Sequence, residues 1–317
     1  MKLELVEPVR IFKPDGQIEW QQEYAQIPSG YVTGNSLKVV FSTRRKPDMN
    51  GGFCSFPAEA IFDLRDLSLT YLSKKPLLDL GGTGAFDEFG VMPGTVLKLH
   101  TGEEVMYYCG WSRSTPTPYR WNIGIAYKAS GVNFARRYPG PIIGQSIHHP
   151  YLTASPVVLQ NSNYGYEMFH LNGIAWNMIE NTLESRYMIT KSISHDGISW
   201  QPTDFMLEKV CWDDECQTSP NFFKIDGQRF MTFSYRSQTS FREQLDRNYR
   251  TALVQETSED SWDLIQENIG VTENGSTRYD IAYLSTFEYE AQLFALYNYS
   301  AGFGKSGIYL AKVQVTI

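Results

Sequence analysis

Apolar residues in this chain come in short runs, and the helical spacing i, i+3, i+4, i+7 is almost absent. The runs are rich in Val, Ile, Tyr and Phe and are bounded by Gly, Asn, Asp and Ser, a pattern that predicts strands joined by tight turns. Five of them align: LKVVFSTR from Leu37, EVMYYCGWSR from Glu104, YGYEMFHLNG from Tyr164, RFMTFSYRS from Arg229 and QLFALYNYSAG from Gln292. Their middles (Val40, Tyr107, Met168, Thr232, Leu296) lie 67, 61, 64 and 64 residues apart. A second marker keeps the same interval. Pro28, Pro93, Pro156 and Pro220 each precede such a run, at steps of 65, 63 and 64, and Phe287 takes that place in the last unit. A further strand pattern follows each run, and in the third unit it leads to Asp196-Gly197, which predicts a hairpin turn.

Five units of about 64 residues, each a small antiparallel sheet, predict an all-β five-bladed β-propeller with four-stranded blades. A pair of β-sandwiches could use similar strands, but gives no reason for a whole sheet to recur at constant spacing. The blades are expected near residues 21–85, 86–148, 149–212, 213–278 and 279–317 of one domain, with residues 1–20 closing the ring. The inner strands should be those with the marker prolines, since they come first in each unit.

Composition narrows the partners. With 28 Lys+Arg against 35 Asp+Glu, the net charge of −7 argues against a nucleic-acid or anionic-membrane partner. No apolar stretch is long enough to span a membrane. Glu4, Glu7 and Arg10 interrupt the start as a signal peptide, so a cytoplasmic protein with reduced thiols is expected. Cys211 and Cys216 have a C-x4-C spacing with no second pair, a poor zinc signature, and no phosphate-cradling or dinucleotide loop occurs. No metal or cofactor is expected.

Residues before the marker prolines should cluster at one mouth of the propeller although far apart in sequence. They include Glu23, the pair Asp87 and Glu88, Tyr151, Glu215 and Asp280. Converging carboxylates repel one another, which favours a proton-holding acid beside an ionised base, the pair that glycoside cleavage needs. Solvated rim residues are the plainer alternative for each. Aromatics and arginines follow the aligned runs: Arg44, Trp111, Arg113, Tyr235, Arg236, Tyr299 and Phe303, with Arg278 nearby. Rings stack on sugars, and guanidinium forks bind phosphate or carboxylate at two points, unless they pair with nearby acids. His149 is a surface or hydrogen-bonding histidine, with a channel metal as its alternative, and Trp176 and Trp200 read as packing. The polar segment from Ser237 to Tyr249 has the composition of a flap over the mouth.

The segments GAFDEFGVMPGTVLKL, MYYCGWSRSTPTPYRWNIGIAY, YLTASPVVL and SISHDGISW resemble the glycosidase-related five-bladed propeller superfamily of arabinanases, levansucrases, invertases and mannoside phosphorylases. Across residues 20–317 the chain is most similar to a bacterial branch associated with surface-polysaccharide loci. The resemblance implies an enzyme cleaving a glycosidic bond, with a carbohydrate or sugar-phosphate ligand. It implies Glu215 as general acid, Asp87 as base or nucleophile, and Glu88 or Asp280 as tuning groups. The superfamily's first-blade Asp is missing: Gln26-Ile27-Pro28 stands there, with Glu23 or Asp48 as substitutes. Phosphorolysis or glycosyl transfer, and non-catalytic sugar binding, remain the alternatives to hydrolysis.

Overall fold

The structure, a computed structural model, describes residues 1–49, 52–129, 131, 133–301 and 307–316. It is all-β; among the described residues the one helix is a single 3-10 turn at Leu245–Arg247, so no helix is long and apolar enough to cross a membrane. Strands β2 (Glu23–Thr33), β3 (Ser36–Arg44), β4 (Ser55–Asp63) and β5 (Leu69–Leu72) form a first antiparallel meander. β6 (Gly90–Lys98), β7 (Glu104–Ser112), β8 (Arg120–Lys128) and β9 (Phe134–Arg136) form the second. The third is β10 (Thr153–Asn161), β11 (Gly165–Ile179), β12 (Thr182–Ser194) and β13 (Gln201–Met206). β14 (Glu215–Ile225), β15 (Gln228–Ser237), β16 (Arg250–Ser258) and β17 (Ser261–Gln266) make the fourth. The short strands β18 (Gly270–Glu273) and β19 (Ser276–Arg278) follow.

The last meander, β20 (Ile281–Tyr289), β21 (Gln292–Tyr299) and β22 (Ile308–Thr316), takes its fourth strand from the other end of the chain. β1 (Lys2–Phe12) pairs antiparallel with β22, from Lys2 against Thr316 to Phe12 against Ile308, and β18 lies parallel on its other side. Leu3 and Leu5 are thereby sealed in the core. Second strands read as nearly continuous apolar runs because both of their faces are covered: in β3, Val39 to Thr43 are all buried. One cluster of Leu37, Val39, Phe41 and Phe62 with Leu296 and Leu310 ties the first meander to the last.

The first strands touch in the cyclic order β2, β6, β10, β14, β20 and back to β2. Each carries a register slip at its marker, between Gln26 and Ser29, Pro93 and Val96, Ala154 and Val157, Thr218 and Asn221, and Ala282 and Ser285. A bulge frees one residue from the ladder, so a proline without an N–H costs nothing there. The residue before the marker is left-handed in four strands, with φ of 55° at Ile27, 51° at Ser155, 51° at Ser219 and 58° at Tyr283. Such backbone costs on the order of 1 kcal/mol or more per residue and persists only where surrounding structure imposes it. The markers line a narrow central channel of about 90 Å³. In the last strand the marker position belongs to Leu284, not Phe287, and the step from Pro220 is 64 residues. Phe287 lies three residues beyond the bulge and stacks on Phe294 in the core, with ring centroids 5.6 Å apart. Apolar similarity misled the alignment there, since only the bulge defines the position.

Candidate functional site

Strand direction brings the starts of the first strands, the ends of the second and the starts of the third to one end of the molecule. A cavity of about 310 Å³ opens there, a volume typical of small-ligand sites. Its floor is formed by the residues at the bulges: Ile27, Met92, Ser155 and Tyr283. Tyr24, Gln26 and Thr218 rise from the first strands, and the second strands supply Arg44 and Arg236 at or next to their ends and Leu171 midway along β11. Tyr187 lies midway along β12 and Trp121 near the start of β8, Tyr249 immediately precedes β16, and Tyr119, Phe241 and Arg242 belong to the connections. Among the described residues no Asp or Glu lines it.

The two inner arginines are held by rings and hydroxyls. Arg236 is buried beneath Phe241, its guanidinium 3.7 Å from the ring centroid. Its Nε donates to the Tyr187 hydroxyl at 2.9 Å and its Nη1 to the Ser237 carbonyl at 2.8 Å. Tyr187 in turn meets the Tyr249 hydroxyl at 2.7 Å, and Tyr249 packs on Tyr283 at 5.4 Å. Arg44 lies over Tyr24 at 4.5 Å, and its buried Nε has no hydrogen-bond partner. Burial works against the Arg44 charge and lowers its pKa, with Tyr24, Tyr283 and the Glu23 carboxylate opposing that shift. Burial pushes the hydroxyls of Tyr187 and Tyr283 well above the ordinary tyrosine value, so both stay protonated. Tyr119 is raised to about 12, again by burial. Among the described residues neither Arg44 nor Arg236 forms an ion pair. Arg242 differs, because Glu184 neutralises it.

One wall is aromatic. Tyr119 and Trp121 stack at 4.3 Å, and Trp176 stands 5.1 Å from Tyr119 on an arm where β11 and β12 run past the length of the other central strands. The segment 237–249 is tied down rather than loose. The Ser237 hydroxyl and Thr239 both donate to Asp214, Arg242 binds Glu184, and Phe241 and Asn248 are buried.

The acidic candidates lie elsewhere. Asp87 is fully buried, accepting from the Tyr108 hydroxyl at 2.8 Å and the Arg136 Nε at 2.7 Å. Gly81 presses against it so closely that a Cβ there would meet Oδ1 at 2.1 Å. Glu215 is also fully buried, and its carboxylate accepts the backbone N–H groups of Val210, Cys211 and Trp212 at 3.0, 2.9 and 3.0 Å. Glu88 accepts from the Gly84 N–H, and Asp280 is engaged by Arg278 at 2.7 Å. Glu23 is the register partner of Arg44, which puts both on one sheet face beside the cavity without making Glu23 part of its lining.

Of the remaining candidates only Arg44 and Arg236 line the mouth. Arg113 pairs with Asp48 and covers Phe89; Trp111 packs on Phe89; Arg278 covers Tyr299. Tyr235 is a core residue whose hydroxyl donates to Asn268, His149 is buried against His170, and Tyr151 is exposed. Phe303 lies outside the described residues. The reading before the structure missed the tyrosines Tyr24, Tyr119, Tyr187, Tyr249 and Tyr283, with Gln26, Trp121, Thr218 and Arg242. Offsets of one and two before the marker would have found Tyr283, Gln26 and Thr218, and Tyr249 ends the segment read as a flap, but nothing in residue order points to Tyr187.

No protein-family model matches the chain. It is 26% identical over 312 residues to an uncharacterised protein of Mycobacterium tuberculosis, Rv1502, covering 96% of this chain and 97% of that one. Among solved structures, one described as a glycoside hydrolase superposes with a TM-score of 0.71 at 13% identity, over 100% of this chain and 93% of the other. A glycosyl hydrolase from Bacteroides ovatus gives 0.67 at 12%, over 96% and 90%. A structure reported for the GH130 family of mannoside phosphorylases, containing glycoside hydrolases that target β-1,2 mannosidic linkages in Candida mannan, gives 0.65 at 11%, over 97% and 94%. At these identities the likeness is one of fold: the chain is all-β and has the architecture of the glycoside hydrolase propellers.

Proposed function

We propose that the five meanders are the blades of a single five-bladed propeller, and that its mouth is the site of a glycosidase-type enzyme acting on a saccharide that carries or meets a phosphate or carboxylate. The cyclic contact of the first strands and the strand shared by the chain ends support the first part. The second rests on one observation: Arg44 and Arg236 face a cavity walled by tyrosines and tryptophan, with no carboxylate in its lining among the described residues. Guanidinium charge in a half-dry cavity is costly unless an anion joins it, and aromatic walls suit sugar faces. The fold shared with glycoside hydrolases and mannoside phosphorylases supports a saccharide as the ligand. Cleavage by Asp87 and Glu215 has weaker support, because Glu215 and Oδ2 of Asp87 are engaged in buried hydrogen bonds and neither residue lines the cavity.

Isothermal titration with neutral oligosaccharides, uronate-containing ones and sugar phosphates tests this. The expected result is that anionic sugars bind at least tenfold tighter than neutral analogues, and that Arg236→Gln removes the difference. Equal affinity for charged and neutral sugars would overturn the reading.

A further inference from the structure

We propose that the molecule carries a second saccharide site, apart from the mouth, whose ligand is a neutral oligosaccharide segment. The site is a groove where the start of β1 meets the end of β17 and the β18–β19 hairpin. Its volume is about 370 Å³, in the range of small-ligand sites. Lys2, Glu4, Ile265, Asn268, Thr277 and Tyr279 line it, and none of them lines the mouth. Tyr279 is 45% exposed, and among the described residues its ring joins no ring pair. Gly270 makes room for it: a Cβ there would meet Tyr279 Cε1 at 3.0 Å and Thr277 Cγ2 at 2.4 Å, so the close approach needs glycine. The ring is thereby braced against β18 with its exposed part open to the groove, a platform for the apolar face of a pyranose.

The polar groups around this ring are fixed in place and balanced in charge. Asn268 Oδ1 accepts from the Tyr235 hydroxyl at 2.9 Å and from Arg250 Nη1 at 3.3 Å, which turns the two N–H donors of its amide away from them. Gln266 clasps the backbone of Leu3, its Oε1 accepting the N–H at 2.8 Å and its Nε2 donating to the carbonyl at 3.0 Å, and so holds β1 at the groove. Lys2 and Glu4 stand 3.7 Å apart and offset one another, and Glu4 also accepts from the Thr272 hydroxyl. The groove therefore offers donors and an acceptor without net charge. Sugar hydroxyls, which both donate and accept, match that set, and nothing in it selects an anion. The mouth differs, with two guanidinium groups and, among the described residues, no acid in its lining. A glycan chain held in the groove stays beside the molecule between encounters with the mouth, which raises its effective concentration there. The groove stands on its own residues and does not depend on the reading of the mouth.

The test is isothermal titration of the full chain with linear hexasaccharides of glucose, mannose, galactose and arabinose, beside the matching monosaccharides. It is repeated with Arg236→Gln, Tyr279→Ala and Tyr279→Phe, with thermal unfolding recorded for each. At least one hexasaccharide should bind ten times tighter than its monosaccharide, and equally well to the parent and to Arg236→Gln. Tyr279→Ala should weaken that binding at least tenfold at an unchanged Tm, whereas Tyr279→Phe, which keeps the ring, should stay within threefold of the parent. Sugar phosphates should bind the Tyr279→Ala chain as they bind the parent. If none of the hexasaccharides binds the Arg236→Gln chain, or if binding survives Tyr279→Ala, the proposal falls, whatever the mouth binds. Hexasaccharide binding that is lost with Tyr279→Ala, in a chain that takes no anionic sugar, would support the groove and overturn the reading of the mouth alone.

Discussion

Replacing Glu215 by Ala separates an architectural carboxylate from a catalytic one. Its Oε2 accepts from Cys211 and Trp212, and its Oε1 from Val210 and, at 2.6 Å, from Gln217. Together these bonds fold the segment 208–212 onto the start of β14, and the side chain is 0% exposed. Hydrogen bonds to an ionised acceptor contribute about 1.5–3 kcal/mol each, and three backbone N–H groups would be orphaned. Water entry and the relief of burying a charge offset part of that loss. A net destabilisation of about 3–5 kcal/mol follows, a fall of roughly 5–10 °C in Tm. Glu215→Gln keeps one carbonyl oxygen and should lose about half as much. The assay is thermal and guanidinium unfolding followed by circular dichroism at neutral pH, beside turnover under identical conditions. A Glu215→Ala protein whose Tm matched the parent while its turnover vanished would refute the architectural role and restore Glu215 as the acid.

Other consequences are as open to measurement. Tyr187→Phe removes the hydroxyl that fixes Arg236 and meets Tyr249, so affinity for anionic sugars should fall about five- to tenfold by calorimetry with Tm little changed; unchanged affinity would show that Arg236 is oriented without it. Burial lowers the pKa of His170 from 6.5 to about 3. The unfolded chain therefore binds this proton first, and the contribution of His170 is complete above about pH 6.5 and lost as pH falls towards 3, by about 4–5 kcal/mol in all. His170→Gln should flatten that acid slope in denaturant titrations, and an identical slope would exclude the histidine as its source. Deleting residues 1–12 uncovers the edge of β22 and the pockets of Leu3, Leu5 and Phe12, about 5–8 kcal/mol of apolar burial. That chain should aggregate or lose its ordered near-ultraviolet signal, whereas a monomer with the parental Tm would show the closure to be dispensable.

The five meanders and their interval were legible because each repeats the same local instruction: an apolar strand, a turn and a proline tolerated only at a bulge. The instruction faded where chemistry was conserved less than shape. Leu284 occupies the fifth bulge without being a proline, and Phe287, a plausible substitute by size, belongs to the core. The candidate site was read less well. Asp87 and Glu215 stood at the expected offsets, yet a bulge changes which side chains face inward, and both carboxylates turned to local donors. Arg44 and Arg236, at or next to the ends of second strands, line the cavity, whereas Arg113, just past the end of β7, pairs with Asp48.

The sequence alone determined that this chain would be a repeated β-sheet protein with its ends brought together, since alternation, turns and marker spacing are local properties that every unit states for itself. It also pointed to arginines beside the ends of second strands, of which Arg44 and Arg236 line the cavity, while none of the rings it singled out does so. Only the tertiary structure decided which charges meet there. Pairing is a contest among partners tens of residues apart: Glu184 reaches Arg242 and Arg136 reaches Asp87, while among the described residues Arg44 and Arg236 form no ion pair. That outcome depends on distances of a few ångströms within and between the meanders, through which Coulomb attraction and desolvation act and which residue order does not encode.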